Sequence, residues 1–100
     1  MALSYDISVR LDPEYPVPGG WVDVVAELTN VTGEVRYVQA SVVGWDFYLT
    51  LQRSGDNRFT ARVHVPWETD PGVYQVSVWG VSFSGESGPR SQISVTVKPR

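Results

Sequence analysis

The fold class of this protein is decided by the segment Asp70-Pro71-Gly72-Val73-Tyr74-Gln75-Val76-Ser77-Val78. Its first three residues favour a turn, because proline fixes φ and glycine tolerates positive φ. From Tyr74 onward apolar and polar residues alternate strictly, so every second side chain falls on the same face. This period of two is typical of a β-strand with one buried face, whereas a helix repeats its apolar residues every three or four positions.

The same period of two recurs in six other segments of the chain. Valine is the most frequent residue, and β-branched side chains favour strands over helices. Clusters of glycine, proline, asparagine and serine separate the segments. The seven predicted strands contain Ile7–Leu11, Val22–Leu28, Val38–Val42, Phe47–Leu51, Phe59–Val65, Tyr74–Val78 and Ile93–Val97. The sequence therefore predicts an all-β fold, a seven-stranded antiparallel β-sandwich.

The alternation also predicts which side chains form the core between the two sheets. In each strand, the apolar residues that alternate with polar ones share one face, and this face is expected to point inward. The residues expected inside are Val24, Ala26, Val38, Ala40, Leu49, Phe59, Val63, Val76, Val78 and Val95.

Part of the pattern carries a resemblance to known domains. The segment 70–76 resembles the Asp-x-Gly-x-Tyr-x-Cys segment that opens strand F of immunoglobulin domains, with Val76 in place of the cysteine. Over nearly the whole chain, the pattern is similar to bacterial immunoglobulin-like and early-set (E-set) modules. The matching parts are Pro18-Gly19, Val22–Leu28, Phe59–Pro66 and Gly72–Val78. The resemblance implies an immunoglobulin-like sandwich with a tyrosine corner, in which the Tyr74 hydroxyl bonds to backbone a few residues upstream.

Length and composition limit the function classes. One hundred residues with 42% hydrophobic content suit a single domain spanning residues 1–100. The net charge of −3 argues against nucleic-acid binding, and no apolar run is long enough for membrane insertion. Because the chain has no cysteine, it forms no disulfide or thiolate metal site. The abrupt ends, Met1-Ala2 and Lys98-Pro99-Arg100, lead us to expect a domain excised from a larger protein.

The residues do not suggest catalysis, a cofactor or a metal. The single histidine, His64, alternates with Arg62 on an outward strand face, and no Gly-x-Ser-x-Gly nucleophile motif is present. A calcium site in the loops stays open as a minor alternative, since Asp12, Glu14, Glu68 and Asp70 lack the usual ligand spacing. The outward or loop carboxylates are instead expected to be solvated. They include Asp6, Asp12, Asp23, Glu27, Asp46 and Glu86.

The four tryptophans are the feature that points to function. By parity Trp45 belongs to the core, as does Phe47, and Trp67 covers one end of the sandwich. Trp79 is out of phase with Val78 and is expected to point outward, as is Trp21. Because strands C and F pair in one sheet of such folds, we predict one contact face on their outer side. Its residues are Trp79, Tyr37, Val43, Val81, Gln39 and Gln75.

An exposed aromatic face has two interpretations. The side chains either pack beneath loops or a neighbouring domain, or they bind a protein or a sugar ring. We therefore expect a non-catalytic immunoglobulin-like spacer or interaction module of a larger secreted or cell-surface bacterial protein, located outside the cell. Its partners would be neighbouring domains of the parent chain, and a protein or polysaccharide. The alternative is a carbohydrate-binding module attached to a glycoside-active enzyme.

Overall fold

The computed structural model describes residues 3–45 and 47–100, and seven β-strands make up most of both ranges. The strands are β1 (Ser4–Asp12), β2 (Trp21–Thr32), β3 (Val35–Val42), β4 (Tyr48–Gly55), β5 (Arg58–His64), β6 (Gly72–Ser82) and β7 (Ser91–Val97). The predicted all-β fold of seven strands is confirmed. Neither range contains a helix, so none that could span a membrane is found there. Asp46, one of the carboxylates considered above, lies outside the described residues.

All seven strands pair antiparallel, in the order β1-β2-β5-β4-β3-β6-β7. In a flat sheet β1 and β6 would lie about 24 Å apart, at roughly 4.8 Å per strand. However, the backbone N–H of Gly80 on β6 donates to the hydroxyl of Tyr5 on β1 at 2.6 Å. The sheet therefore folds over on itself into two facing layers. The first layer is β1, β2 and β5, and the second is β3, β6 and β7.

Strand β4 connects the two layers. Its residues 48–51 pair with β3 in the second layer, whereas Gln52, Arg53 and Gly55 pair with β5 in the first. A short hairpin joins β4 to β5, with Asn57 at a φ of 55°. Asparagine tolerates this left-handed conformation better than most residues, which explains its place in the turn.

The core is densest at the end where β1 begins and β6 ends, which we call the closed end. Phe59 from the first layer is almost fully buried there, as are Leu51 and Val38, and Val78 is buried near the middle of β6. Arg53 places its guanidinium carbon 4.8 Å from the centre of the Phe59 ring. All four side chains follow the predicted alternation. Phe59, Val38 and Val78 were expected in the core, and Leu51 lies on the same face of its strand as the expected core residue Leu49.

Tyr5 joins the two layers at the closed end. Its hydroxyl accepts a hydrogen bond from the Gly80 N–H and donates one to the Pro89 carbonyl, both at 2.6 Å. The ring lies so close to the backbone that a Cβ on Gly88 would come within 2.6 Å of it. Burial raises the pKa of Tyr5, an effect that the Gly80 hydrogen bond partly offsets.

The opposite end, where β1 ends and β6 begins, is filled less well, and we call it the open end. Four predicted core residues are only half-buried, and all four lie towards this end: Leu49, Val63, Val76 and Val95. The expectation that Trp45 and Phe47 belong to the core is wrong, because they are 48% and 42% exposed. Both precede the start of β4 at Tyr48, so the alternation of a strand does not extend to them.

Candidate functional site

The predicted contact face contains a tryptophan that is outward but not exposed. Trp79 does lie on the side of β6 opposite Val78, and it does not belong to the core cluster between the layers. The expectation of partial exposure is nevertheless wrong, because only 5% of the residue is accessible. Val81, on the same side of the strand, is buried too.

A loop covers this part of the face. After β6 the chain turns back, so that Ser82 N–H donates to Glu86 O at 2.9 Å and Gly88 N–H donates to Gly80 O at 2.8 Å. Arg90 then lies over Trp79, with its guanidinium carbon 3.9 Å from the ring centre. Packing beneath a loop was one of the two interpretations of an outward aromatic, and it applies to Trp79.

The other predicted contact residues are spread over the polar surface of the second layer. Tyr37 and Gln39 are half-buried on β3, and Gln39 lies next to Thr50 at a long hydrogen-bond distance of 3.4 Å. Gln75 is exposed and donates to the Ser94 hydroxyl at 3.0 Å, while Val43 is exposed beyond the end of β3. These side chains do not form one apolar platform, and a partner contact by any of them stays a prediction.

An exposed aromatic surface lies instead on the outer face of the first layer. Trp21 at the start of β2 pairs across the strands with His64 at the end of β5, and their ring centres are 5.0 Å apart. Trp21 is 61% exposed, so its ring is open to solvent beside the imidazole. The next outward pair is Asp23 and Arg62, which form an ion pair at 3.1 Å. We call these four residues the Trp21 surface.

Backbone geometry holds the histidine of this surface in place. His64 Nε2 lies 3.1 Å from the carbonyl oxygen of Gly19, and Gly19 N–H donates to Val65 O at 2.8 Å. Gly19 has a φ of 80°, and a Cβ there would come within 2.5 Å of the Trp67 ring. Glycine is therefore required at this position for two reasons, its backbone conformation and the approach of Trp67.

Trp67, which was predicted to cover one end of the sandwich, lies against Gly19 in the turn before β2. The Arg100 guanidinium carbon lies 4.1 Å from the centre of its ring, and Arg100 also donates to the Pro18 carbonyl at 3.1 Å. Although Trp67 is largely exposed, it is already in contact with protein groups and offers less free ring surface than its exposure suggests.

The tyrosine corner predicted from the resemblance is present. The Tyr74 hydroxyl donates to the carbonyl oxygen of Asp70 at 2.5 Å, four residues upstream, which confirms the expected hydrogen bond. The Tyr74 ring is also in edge contact with Trp45, at a centre-to-centre distance of 5.4 Å. Tyr74 thus fixes the turn that precedes β6, a structural role.

The geometry of the acidic residues does not assemble a metal site in the parts of the chain that the structure describes. No three His, Asp or Glu side chains come together there, and this includes the loop carboxylates Asp12, Glu14, Glu68 and Asp70. The outer face of the first layer carries ion pairs instead. Besides Asp23–Arg62, Glu27 lies 3.5 Å from Arg58 and 3.8 Å from Arg10.

Comparison with known proteins identifies the fold. No protein-family model and no curated protein matches the chain. Among solved structures, it is similar to the fibronectin(III)-like modules of Clostridium thermocellum CbhA, with 13% identity and a TM-score of 0.57. The match covers 92% of this chain and 98% of that one. The protein therefore has the fold of a fibronectin(III)-like module, an immunoglobulin-like fold, while its assignment to the early-set modules stays a prediction.

Two further structures share the fold as part of longer chains. One is a polysaccharide deacetylase from Bacillus cereus, with 16% identity, a TM-score of 0.57 and coverage of 93% of this chain. The other is an engineered protein, with 18% identity, a TM-score of 0.55 and coverage of 95%. The match occupies 30% of the deacetylase chain and 20% of the engineered one.

Sequence reasoning recognised Trp21 as outward but did not connect it with His64. The missing information is the register between β2 and β5, which places residues 21 and 64 directly opposite each other. Alternation within a single strand gives the face of each side chain but not its neighbour on the next strand.

Proposed function

We propose that this protein is a non-catalytic spacer module of a larger protein. The observation that carries the proposal is the course of the chain through the fold. Strands β1 and β7 both run from the closed end to the open end. The first described residues therefore lie at the closed end, and the last strand ends at the open end. Nine residues of β1 span about 30 Å at roughly 3.3 Å per residue, and the longest dimension of the molecule is 44 Å.

Specific contacts support this proposal because they hold the chain at both ends. At the closed end Leu3 is buried, and Tyr5 bonds to Gly80 on β6 and to Pro89 in the loop that follows β6. At the open end Lys98 N–H donates to Pro16 O at 2.9 Å, and Arg100 contacts both Pro18 and Trp67. A neighbouring domain attached to such anchored ends would keep its orientation, which is what a spacer requires.

The proposed setting is a secreted or cell-surface bacterial protein. Two of the proteins of similar fold are a fibronectin(III)-like module from Clostridium thermocellum and a polysaccharide deacetylase from Bacillus cereus. In the deacetylase the matching part is 30% of the chain. A module of this kind would position other domains of its parent chain outside the cell.

A tandem chain tests the spacer proposal. Two copies are joined so that the second begins directly after Arg100 of the first, and X-ray scattering measures the maximum dimension. We expect a narrow distribution of interatomic distances, with a maximum dimension of about twice the 44 Å length of one copy. Arg100→Ala in the first copy should broaden it, whereas Arg36→Ala on the exposed part of β3 should not. A broad distribution for the unmodified tandem would contradict the proposal.

A second candidate function is carbohydrate binding at the Trp21 surface. One observation favours it, the 61% exposure of Trp21 next to His64 and the Asp23–Arg62 ion pair. A sugar ring stacks its apolar face on an indole and directs its hydroxyl groups to neighbouring polar side chains. The Trp21 surface offers both components on the outer face of the first layer.

Titration with soluble polysaccharides tests this second candidate through the intrinsic tryptophan fluorescence. We expect Trp21→Ala to abolish the fluorescence response to any polysaccharide that binds, with little change in the melting temperature. Tyr48→Ala is the matched control, because Tyr48 is an equally exposed aromatic residue on the other layer. If the response survives Trp21→Ala, sugars do not bind at the Trp21 surface.

A further inference from the structure

A cavity of about 200 Å³ lies between the two layers and reaches the open end. Leu11, Val22 and Val63 line it from the first layer, and Val76, Ile93 and Val95 line it from the second. It is therefore part of the interior of the sandwich, and of the Trp21 surface only His64 also borders it.

The cavity exists because the side chains that face it are short. Layers of a sandwich lie about 10 Å apart, and opposed valines do not fill that distance as aromatic side chains do. Trp45 and Phe47 are long enough, but they lie at the border of the cavity with almost half of their surface exposed. Tyr74 also borders it, and its hydroxyl is occupied by the Asp70 carbonyl.

The chemistry of the walls selects an uncharged ligand. Among the described residues that line the cavity, none is Asp, Glu, Lys or Arg, and the polar ones besides Trp45 and Tyr74 are Ser41, Thr69 and His64. A charged group placed inside would lose its hydration without gaining a partner. Water would also find few polar partners there.

We propose that this inter-layer cavity binds a small uncharged apolar molecule, a monocyclic aromatic or a short alkyl chain. An apolar protein cavity of about 150 Å³ holds benzene, so by proportion about 200 Å³ accommodates roughly eight carbon atoms. The ligand enters at the open end, between the exposed rings of Trp45 and Phe47. Binding buries its apolar surface and that of half-buried wall residues such as Val76 and Val95.

Thermal unfolding with toluene as the probe tests the proposal. A ligand that binds only the folded protein raises its stability, and at ten times the Kd the melting temperature should rise by about 5–10 °C. Benzoate has a ring of similar size with a charge, and we expect no rise with it. A rise that is equal for both probes, or absent for toluene, overturns the proposal.

A pair of phenylalanine substitutions on β6 localises the effect. Val76→Phe places a ring in the cavity and should remove the response to toluene, while the melting temperature of the variant itself stays equal or increases. Val73→Phe is the control, because Val73 lies on the exposed side of the same strand and does not line the cavity. A toluene response that persists unchanged in Val76→Phe shows binding elsewhere and contradicts the proposal.

Nuclear Overhauser measurements on the unmodified protein give an answer even if Val76→Phe fails to fold. Toluene protons should show contacts with the methyl groups of Val76 and Val95, and none with those of Leu28 at the closed end. If the Trp45 or Phe47 ring shows these methyl contacts in the free protein and toluene shows none, the chain fills its own cavity and the proposal is wrong.

Discussion

The closed and open ends of the sandwich use the same strands with different side chains. On β5, Phe59 faces the interior at the closed end, and Val63 takes the same face four residues later at the open end. The two positions have the same parity, but Phe59 is fully buried, whereas Val63 is half-buried beside the cavity. The difference is volume, because valine leaves unfilled the space that phenylalanine occupies.

Links between the layers differ in the same way. At the closed end the Tyr5 hydroxyl bonds to the backbone of β6 and to that of the loop between β6 and β7, and glycine at positions 80 and 88 lets its ring approach. At the open end the tyrosine is Tyr74, and its hydroxyl bonds within its own turn, four residues away. Of these two tyrosines, Tyr5 links the layers and Tyr74 does not, so the closed end should unfold last.

The largest expected effect is at Phe59. Phe59→Ala should lower the free energy of unfolding by about 3–5 kcal/mol, because it leaves a cavity in a dense core. Val63→Ala should cost only about 1 kcal/mol, since it enlarges a space that is already open. Denaturant unfolding of both variants measures the difference. Thr60→Ala, on the opposite face of β5, is the control and should cost under about 1 kcal/mol. Equal losses at Phe59 and Val63 would contradict the distinction between the two ends.

A second large effect is expected at Trp79. Trp79→Ala should cost about 3–5 kcal/mol, as for other buried aromatic residues, because the loop and Arg90 close over its ring. Arg90→Ala should cost less, about 0.5–1 kcal/mol, as it removes one cation–π contact. Melting curves of the two variants provide the comparison. A Trp79→Ala variant as stable as the unmodified protein would contradict the packing of the loop on the Trp79 ring.

These two positions show what the sequence could predict and what it could not. Period-two alternation gave all seven strands and the correct side for both Phe59 and Trp79, because the pleat alone determines side-chain direction. Exposure at Trp79 depends on a loop that returns from residue 83 to Arg90, which no pattern within β6 contains. Burial of the inward side chains depends on the volumes of the side chains that face each other across the two layers. This explains why the valines near the cavity are only half-buried.

The candidate site shows the same limit. The outward direction of Trp21 followed from its parity, but its contact with His64 needed the register between β2 and β5. Tyr74 was easier, because a tyrosine corner lies within one turn of the chain and its residues are adjacent in sequence. Local features were therefore predictable, whereas contacts across strands were not.

An intermediate effect distinguishes the two tyrosines. Tyr5→Phe should cost about 1–3 kcal/mol, because it leaves the buried Gly80 N–H and the Pro89 carbonyl without their partner. Tyr74→Phe should cost about 1 kcal/mol, since the Asp70 carbonyl that it releases is exposed to water. Equilibrium unfolding, together with a circular-dichroism check of the β-sheet signal, gives both values. A larger loss at Tyr74 than at Tyr5 would reverse the assignment of the stronger link to the closed end.

The smallest effect is an alkaline loss of stability at the closed end. Burial raises the folded-state pKa of Tyr5 above its ordinary value of 10.0, so above this pH the unfolded chain releases the proton more readily. The contribution of Tyr5 is therefore fully present below pH 10 and declines as the pH rises through the folded-state pKa. An ionised Tyr5 could no longer donate to Pro89 O. Urea unfolding at pH 9 and pH 11 should show a smaller loss for Tyr5→Phe than for the unmodified protein. The other tyrosines are common to both proteins, so identical losses would show that Tyr5 ionises as freely in the folded chain as in the unfolded one.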